Sequence, residues 1–206
     1  MSERRRDCIL DAARTVFSRK DYAATAVEDI AEQARIAKGT LYLYFRSKED
    51  IYLAALARDV RELAVQARRE MERAGTLRRK LRAFFRARLE YSKKHEDFLR
   101  IYLAEYGSMF VKSPLRKELC NLSRENMRYI ATVVEEAARR GEIRRVPSGA
   151  TAALIFDVAR GLLERRLLGW KEFQTRNEIE FAVDLICSGI ERSPAAPKRK
   201  GALKRK

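Results

Sequence analysis

The residues best suited to chemistry with a partner are concentrated in one short segment, IAKGTLYLYF, at positions 36–45. Within seven residues it places a cation, a hydroxyl group and two phenols, namely Lys38, Thr40, Tyr42 and Tyr44. At helical spacing the two tyrosines point away from the face shared by Leu41 and Phe45, so one core cannot bury all four side chains. We therefore expect Leu41 and Phe45 to anchor the segment, and the tyrosines to face something outside the fold.

Catalytic and metal-binding chemistry finds little support in the sequence. His95 is the only histidine, which excludes a site built from a histidine pair, and the chain contains neither a Gly-rich phosphate loop nor a nucleophile elbow. Three widely spaced cysteines, Cys8, Cys120 and Cys187, argue against a disulfide framework and fit a reducing compartment. We expect free, packed thiols, no cofactor, no metal and no enzymatic activity.

The net charge of +16 invites the inference that the chain binds nucleic acid. However, residues 1–50 carry ten basic and nine acidic side chains, whereas residues 51–100 carry fourteen and seven. The excess therefore lies outside the segment at 36–45, in the middle of the chain and in the tail at 194–206. That tail is predicted to be disordered, with a DNA-contacting arm as the alternative.

Hydrophobic periodicity predicts helices almost throughout and hence an all-α fold. The first helix is expected to stop near Asp21. Thr25 and Glu28 are predicted to form a capping box at the start of the second helix. SKED at 47–50 is predicted to cap the start of a long helix. Apolar residues recur along that helix at alternating intervals of three and four, which predicts one buried seam. Further helices are predicted at 77–94, 97–111, 115–140, 148–169 and 175–192, with Gly141 ending one of them, for about nine in total.

The N-terminal motifs together resemble those of TetR-type transcriptional regulators. The resemblance is carried by TAVEDIA from Thr25, GTLYLYF from Gly39 and SKE from Ser47, in that order and spacing. It is dense over residues 5–60, whereas the rest of the chain agrees only in length and helical layout. The family implies a three-helix DNA-binding domain with a helix-turn-helix at 1–47 and a helical effector-binding and dimerisation domain at 48–193.

The resemblance also implies which residues contact operator DNA. A recognition helix would enter the major groove, Tyr44 would reach a phosphate, and Lys48 and Thr25 would hold the DNA backbone. Arg35 stands where the family usually has glycine, and it either contacts a phosphate or faces solvent. The full set implied is Thr25, Arg35, Lys38, Gly39, Thr40, Tyr42, Leu43, Tyr44 and Lys48.

Two predicted helices near the C-terminus are too apolar to lie exposed on the surface of one protomer. A two-fold four-helix bundle formed with a second copy of the chain would bury their apolar faces. Burial within one protomer is the alternative. The residues expected at this dimer interface are Phe156, Gly161, Leu162, Phe181, Leu185 and Ile186.

An effector cavity is expected among aromatic residues and methionines of the middle helices, although such residues more often form plain core. The candidates are Phe84, Tyr102, Tyr106, Met109, Phe110 and Met127. They favour an apolar or aromatic small molecule, and the many arginines add a weaker argument for an anionic one.

These expectations describe a cytoplasmic, homodimeric repressor that releases a palindromic operator when a small molecule binds, with no membrane partner. A sequence-independent nucleic-acid binder is the alternative. The two differ in the expected specificity ratio and salt dependence of DNA binding.

Overall fold

A computed structural model describes residues 3–96, 114–173 and 176–191, and every regular element in these ranges is helical. The all-α prediction is confirmed. In chain order the helices are α1 (Glu3–Ala24), α2 (Val27–Gln33), α3 (Lys38–Tyr42), α4 (Lys48–Glu72), α5 (Leu77–Lys94), α6 (Pro114–Arg139), α7 (Ser148–Leu167), a 3-10 turn (Lys171–Phe173) and α8 (Glu178–Ile190).

The boundary between α1 and α2 differs from the prediction at both ends. Helix α1 continues past Asp21 to Ala24. Helix α2 is capped at Ala26, whose N–H donates to the Asp29 carboxylate at 2.9 Å, so the predicted capping box on Thr25 and Glu28 is wrong by one residue. The sequence offers two adjacent acidic residues here, and the observed pairing uses the second.

Helix α4 begins as predicted and is the longest element of the N-terminal half. The Ser47 hydroxyl accepts from the Asp50 N–H at 3.1 Å, and the Asp50 carboxylate accepts from the Arg46 N–H at 2.9 Å. These bonds satisfy donors that a helix start leaves unpaired. The predicted seam of α4 is buried along its length, through Leu53, Leu56, Val60, Leu63 and Ala67.

Two apolar cores share helix α4. The first joins α1, α2 and α3 to the first half of α4, from Ile51 to Leu63, and also takes in Tyr91 and Leu119. The second joins the C-terminal end of α4, at Ala67 and Met71, to α5, α6, α7 and α8. A displacement of α4 therefore acts on both cores at once.

Three helices end in the same hydrogen-bonded turn, in which one residue has positive φ. Gly141 (φ 76) fills this position after α6, as predicted, and Gly169 (φ 68) fills it after α7. Arg35 fills it after α2 with φ 54; its N–H bonds the Glu32 carbonyl at 2.9 Å, and the following N–H bonds the Ala31 carbonyl at 3.0 Å. A non-glycine residue here costs on the order of 1 kcal/mol.

A buried polar network ties α1 and α5 to the middle of α4. Asp59 is 1% exposed and accepts a hydrogen bond from Arg14 Nη1 at 3.1 Å. The Tyr91 hydroxyl lies 3.4 Å from Asp59 Oδ1 and 3.2 Å from Glu62 Oε2. Because three helices meet at these side chains, the network holds α1 and α5 to the middle of α4.

The three cysteines are free, with Cys187 buried, Cys120 half-buried and Cys8 exposed rather than packed. Across residues 3–96, 114–173 and 176–191, side chains able to ligate a metal form no group of three or more. Within the same ranges, no helix combines the length and apolar character needed to cross a bilayer.

Candidate nucleic-acid interface

Helix α3 and the residues that follow it divide their side chains between the core and the outside as predicted for Leu41, Phe45 and Tyr42, whereas Tyr44 is half-buried against the core. Leu41 is fully buried and Phe45 is 2% exposed, so both act as core anchors. Tyr42 is 46% exposed and Leu43 65% exposed, although both are large hydrophobic residues. An apolar leucine and a phenol held outward on a short, well-anchored helix form a surface suited to contact with a partner.

The start of α3 adds a small residue and a cation to this surface. A Cβ at Gly39 would meet nothing within 4 Å, so the fold itself does not require glycine there. Lys38 is exposed and its ammonium lies 5.9 Å from the centre of the Tyr42 ring. We conclude that the surface of α3 leaves room for close approach from outside at Gly39, with a positive charge beside it.

Lys38 is held by a carboxylate of the preceding helix. Its Nζ donates a short hydrogen bond to Glu28 Oε1 across the turn between α2 and α3. This hydrogen bond lowers the pKa of the Glu28 carboxyl and raises the pKa of the Lys38 ammonium. Both side chains are exposed, so an incoming anion competes with Glu28 for the same ammonium group.

Tyr44 lies on the other side of the helix-turn-helix, beside a basic cleft. The side chain is half-buried against the N-terminal core. The cleft has a volume of about 560 Å³ and is lined by Arg4 and Arg5 of α1, by Cys8 and by Arg35 of the turn. Three guanidinium groups and the phenol therefore line the same cleft, which is a composition suited to phosphate oxygens. The residues that the family resemblance implies for DNA contact include Tyr44 and Arg35 but not Arg4 or Arg5.

Lys48 holds the helix-turn-helix to the start of α4. Its Nζ donates to the carbonyl oxygens of Tyr22 at 2.7 Å and Thr25 at 2.9 Å, and lies 4.4 Å from the centre of the Tyr22 ring. The ammonium thereby satisfies carbonyl groups at and after the end of α1. Thr25 itself is only 2% exposed, so its side chain does not lie on the outer surface.

A second candidate site lies between helices α4, α5, α6 and α7. This inner cleft has a volume of about 20 Å³, which is room for one water-sized group. Its lining is Ala64, Ala67, Arg68, Met71, Phe84, Arg88, Asn126, Tyr129, Ile130 and Phe156.

Of the predicted effector residues, Phe84 lines the inner cleft and Met127 packs, partly buried, against the C-terminal core. Tyr102, Tyr106, Met109 and Phe110 lie outside the described residues.

The predicted dimer residues separate into two groups. Phe156 and Leu162 are 9% and 3% exposed, so the structure places them in the core of one protomer, contrary to the prediction. Gly161 and Ile186 are half-buried. Phe181 and Leu185 are 60% and 64% exposed on one face of α8, and Leu154 of α7, which the prediction omitted, is 66% exposed.

The comparison with known proteins agrees with this arrangement. Residues 9–55 match the family described as bacterial regulatory proteins, tetR family. The HTH-type transcriptional regulator BetI of Paraburkholderia phytofirmans (strain DSM 17436 / LMG 22146 / PsJN) is 30% identical over 189 residues, which cover 90% of this chain and 93% of BetI. The chain belongs to the TetR family. It is therefore a DNA-binding transcriptional regulator.

Solved structures share the fold of this TetR-family regulator along nearly its whole length. FadR of Bacillus subtilis, in complex with stearoyl-CoA, superposes with a TM-score of 0.78 at 20% identity, over 90% of this chain and 99% of FadR. A putative transcriptional regulator from Saccharomonospora viridis, in complex with choline, gives a TM-score of 0.80 at 20% identity, over 93% and 100% of the two chains. At these identities the likeness establishes the shared fold.

Glu28→Gln in this TetR-family regulator is expected to raise its affinity for all DNA duplexes alike, by about three- to tenfold at low salt. The substitution removes the carboxylate that pairs with the Lys38 ammonium, which would then be free to bind a phosphate. Fluorescence anisotropy on specific and scrambled duplexes over a salt series measures both the gain and a steeper salt dependence. Glu32→Gln, on the same helix and also exposed, is the control for a change of one charge. Equal gains in the two variants would show that net charge, and not release of Lys38, is responsible.

Proposed function

We propose that this TetR-family regulator is a homodimeric repressor that binds a palindromic operator and releases it when a small molecule enters the C-terminal domain. The observation that carries this proposal is the exposed surface of α3, where Tyr42 and Leu43 face outward while Leu41 and Phe45 hold the helix in the core. A helix presented in this way can enter the major groove of B-DNA.

The proposed contacts divide into base readout and phosphate binding. Thr40, Tyr42 and Leu43 read base edges by hydroxyl and apolar contacts, and Gly39 allows the backbone to come close to them. Lys38 exchanges its pairing with Glu28 for a phosphate.

Tyr44 and Arg35 bind a phosphate at the basic cleft, joined by Arg4 and Arg5. The positive φ of Arg35 supports this role, because backbone strain of this kind is commonly found at functional sites.

Lys48 and Thr25 take a different place in the proposal from the one the family implies. Lys48 Nζ already donates to the carbonyl oxygens of Tyr22 and Thr25, and it makes a longer contact of 3.5 Å with that of Ala23. We therefore propose that Lys48 mainly positions the helix-turn-helix and adds charge near the DNA backbone. Thr25, being buried, is proposed to support that position and not to contact DNA directly.

The dimer is proposed to form through α7 and α8 of two copies. Leu154, Phe181 and Leu185 expose large apolar side chains there, and a second copy covers them by presenting the same face. Two-fold symmetry then places the two recognition helices on one side of the DNA, about 34 Å or a multiple apart, which accounts for a palindromic site.

Release of the operator is proposed to run through α4. One wall of the inner cleft is α4, at Ala64, Ala67 and Arg68, and the cleft must widen to admit a molecule larger than water. The other end of α4, its N-terminal end, holds the helix-turn-helix through Lys48 and the N-terminal core. A ligand that displaces α4 therefore changes the spacing of the recognition helices, and a coupling of about 1–3 kcal/mol gives a several-fold to hundredfold release.

The test is fluorescence anisotropy with duplexes from the DNA flanking the coding region and scrambled duplexes of equal composition. We expect one duplex to bind with two or four chains per site, and Thr40→Ala to lower discrimination between duplexes by about tenfold through loss of a base contact. Thr15→Ala is the matched control, because Thr15 lies on α1 and its hydroxyl bonds a backbone carbonyl within that helix. Equal, salt-sensitive binding of wild type to every duplex selected from random DNA would contradict the proposal.

A further inference from the structure

The inner cleft contains a buried cation for which the described part of the chain provides no carboxylate. Arg88, on α5, is 7% exposed, and its Nε is buried without a hydrogen-bond partner. Within the described ranges it forms no ion pair, and its guanidinium lies instead over two aromatic rings, 5.4 Å from the centre of Phe84 and 5.5 Å from that of Phe156. A buried charge without a counter-ion is costly, so its presence needs a reason.

A second guanidinium group lies in the same cleft. Arg68 of α4 donates to Asn126 Oδ1 at 3.1 Å and stacks on Tyr129 with its Cζ 4.9 Å from the ring centre. Its Nε is also buried without a partner. The residues that line the cleft include both arginines and neither an aspartate nor a glutamate. The lining residues therefore include two positive side chains, and the Nε–H group of each has no acceptor among the described residues.

Tyr129 adds a neutral donor to the cleft. Burial raises the pKa of Tyr129, and the Glu72 carboxylate acts in the same direction more weakly. The phenol accordingly keeps its proton at physiological pH and can donate a hydrogen bond. The lining therefore combines two guanidinium groups and a phenol with the apolar side chains of Met71, Phe84 and Ile130.

We infer that the effector is an organic anion with an apolar or aromatic body, and that its acidic group pairs with Arg88 and Arg68 of the inner cleft. This inference rests on the proposed function, since it names the class of molecule that acts at the effector site. A carboxylate, sulfonate or phosphate provides the missing acceptor for the arginines, and planar guanidinium groups bind such groups in a fixed geometry. A cationic ligand would instead face two positive charges.

The pairing also explains how binding reaches α4. Arg88 belongs to α5 and Arg68 to α4, so an anion bound between them contacts both helices at once. The free cleft admits one water-sized group, so a larger anion must separate the helices that line it. An anionic effector therefore acts on the helix that carries the N-terminal core.

The test uses two fluorescent dyes with the same ring system, 8-anilinonaphthalene-1-sulfonate and the uncharged N-phenyl-1-naphthylamine. We expect the full-length protein to bind the sulfonate with one site per chain and at least tenfold more tightly than the neutral dye. Arg88→Met is expected to lower the affinity for the sulfonate at least tenfold and to leave the affinity for the neutral dye unchanged. Arg88→Lys is expected to have an intermediate affinity for the sulfonate. Arg69→Met, an exposed arginine of α4, controls for net charge and is expected to change neither affinity.

Stability provides a second measurement on the same variants. Removing an unpaired buried cation is expected to raise the melting midpoint of ligand-free Arg88→Met by a few degrees, whereas an arginine with a purely structural role would lower it. A lower midpoint for Arg88→Met overturns the inference. Three other results also overturn it: wild type does not bind the sulfonate, wild type binds both dyes equally, or Arg88→Met lowers the affinity for both dyes equally.

Operator binding is measured separately, without dye. If the protein binds a specific duplex but the dye test fails, only the proposal of an anionic effector is contradicted. If the dye test succeeds but no duplex is bound specifically, the regulatory function is contradicted and the anion site is still supported.

Discussion

Phe181→Glu combined with Leu185→Glu is expected to leave the chain folded but monomeric, and to lower its affinity for the operator about hundredfold. Both side chains are more than half exposed in one protomer, so the substitutions do not disturb its core. In the proposed dimer the same side chains meet a second copy, where buried charges without matched partners are strongly unfavourable. The monomer then binds one half-site and loses the gain that comes from linking two recognition helices.

Sedimentation velocity measures the oligomeric state of this double variant, circular dichroism its helix content, and anisotropy its operator affinity. Val65→Arg is the matched control, since Val65 is an apolar residue of α4 that is 47% exposed and lies on neither α7 nor α8. It is expected to remain dimeric and to bind as wild type does. A double variant that stays dimeric, or a monomer that binds the operator as tightly as wild type, would contradict the proposed interface.

The helix-turn-helix was predictable from sequence because its signals are local. Anchoring at Leu41 and Phe45 and the cap at Ser47 depend on residues within a few positions of one another. The start of α2 was misplaced by one residue because Glu28 and Asp29 both offer a carboxylate, and only the backbone path decides which one caps.

The C-terminal half was less predictable because its helices are apolar on more than one face. Phe156 and Leu162 of α7 have the composition of an interface, yet both are buried in one protomer. Only the positions of α5 and α6 decide which face of α7 is covered. Leu154, on the uncovered face, could not be distinguished from them by residue type.

A signal for Arg88 was present in the sequence. It lies four residues after Phe84 and seven after Leu81, on the apolar face of α5, where a helix normally has no charge. The polar network at Asp59 gave no comparable signal, because its partner Arg14 lies 45 residues away. Contacts between distant segments of this kind require the folded structure.

Asp59→Ala is expected to lower the free energy of unfolding by about 3 kcal/mol, which corresponds to a fall of about 6–12 °C in melting midpoint. The substitution leaves Arg14 without its acceptor in a largely buried position and opens a cavity between α1, α4 and α5. Arg14 remains 23% exposed, so water offsets part of the loss and the effect stays at the lower end for a broken buried pair. Chemical denaturation followed by circular dichroism measures it.

Asp59→Asn separates the charge of Asp59 from its shape and hydrogen bonds. Burial raises the pKa of Asp59 above its ordinary value of 3.8, while the charge of Arg14 acts in the opposite direction. The folded chain therefore keeps this proton to higher pH than the unfolded chain does, and the stability of wild type relative to Asp59→Asn falls as the pH rises above 3.8. At neutral pH we expect Asp59→Asn to differ from wild type by about 1 kcal/mol or less. If Asp59→Ala were no less stable than Asp59→Asn, the acceptor role of this side chain would be wrong, and packing alone would hold α1 and α5 to α4.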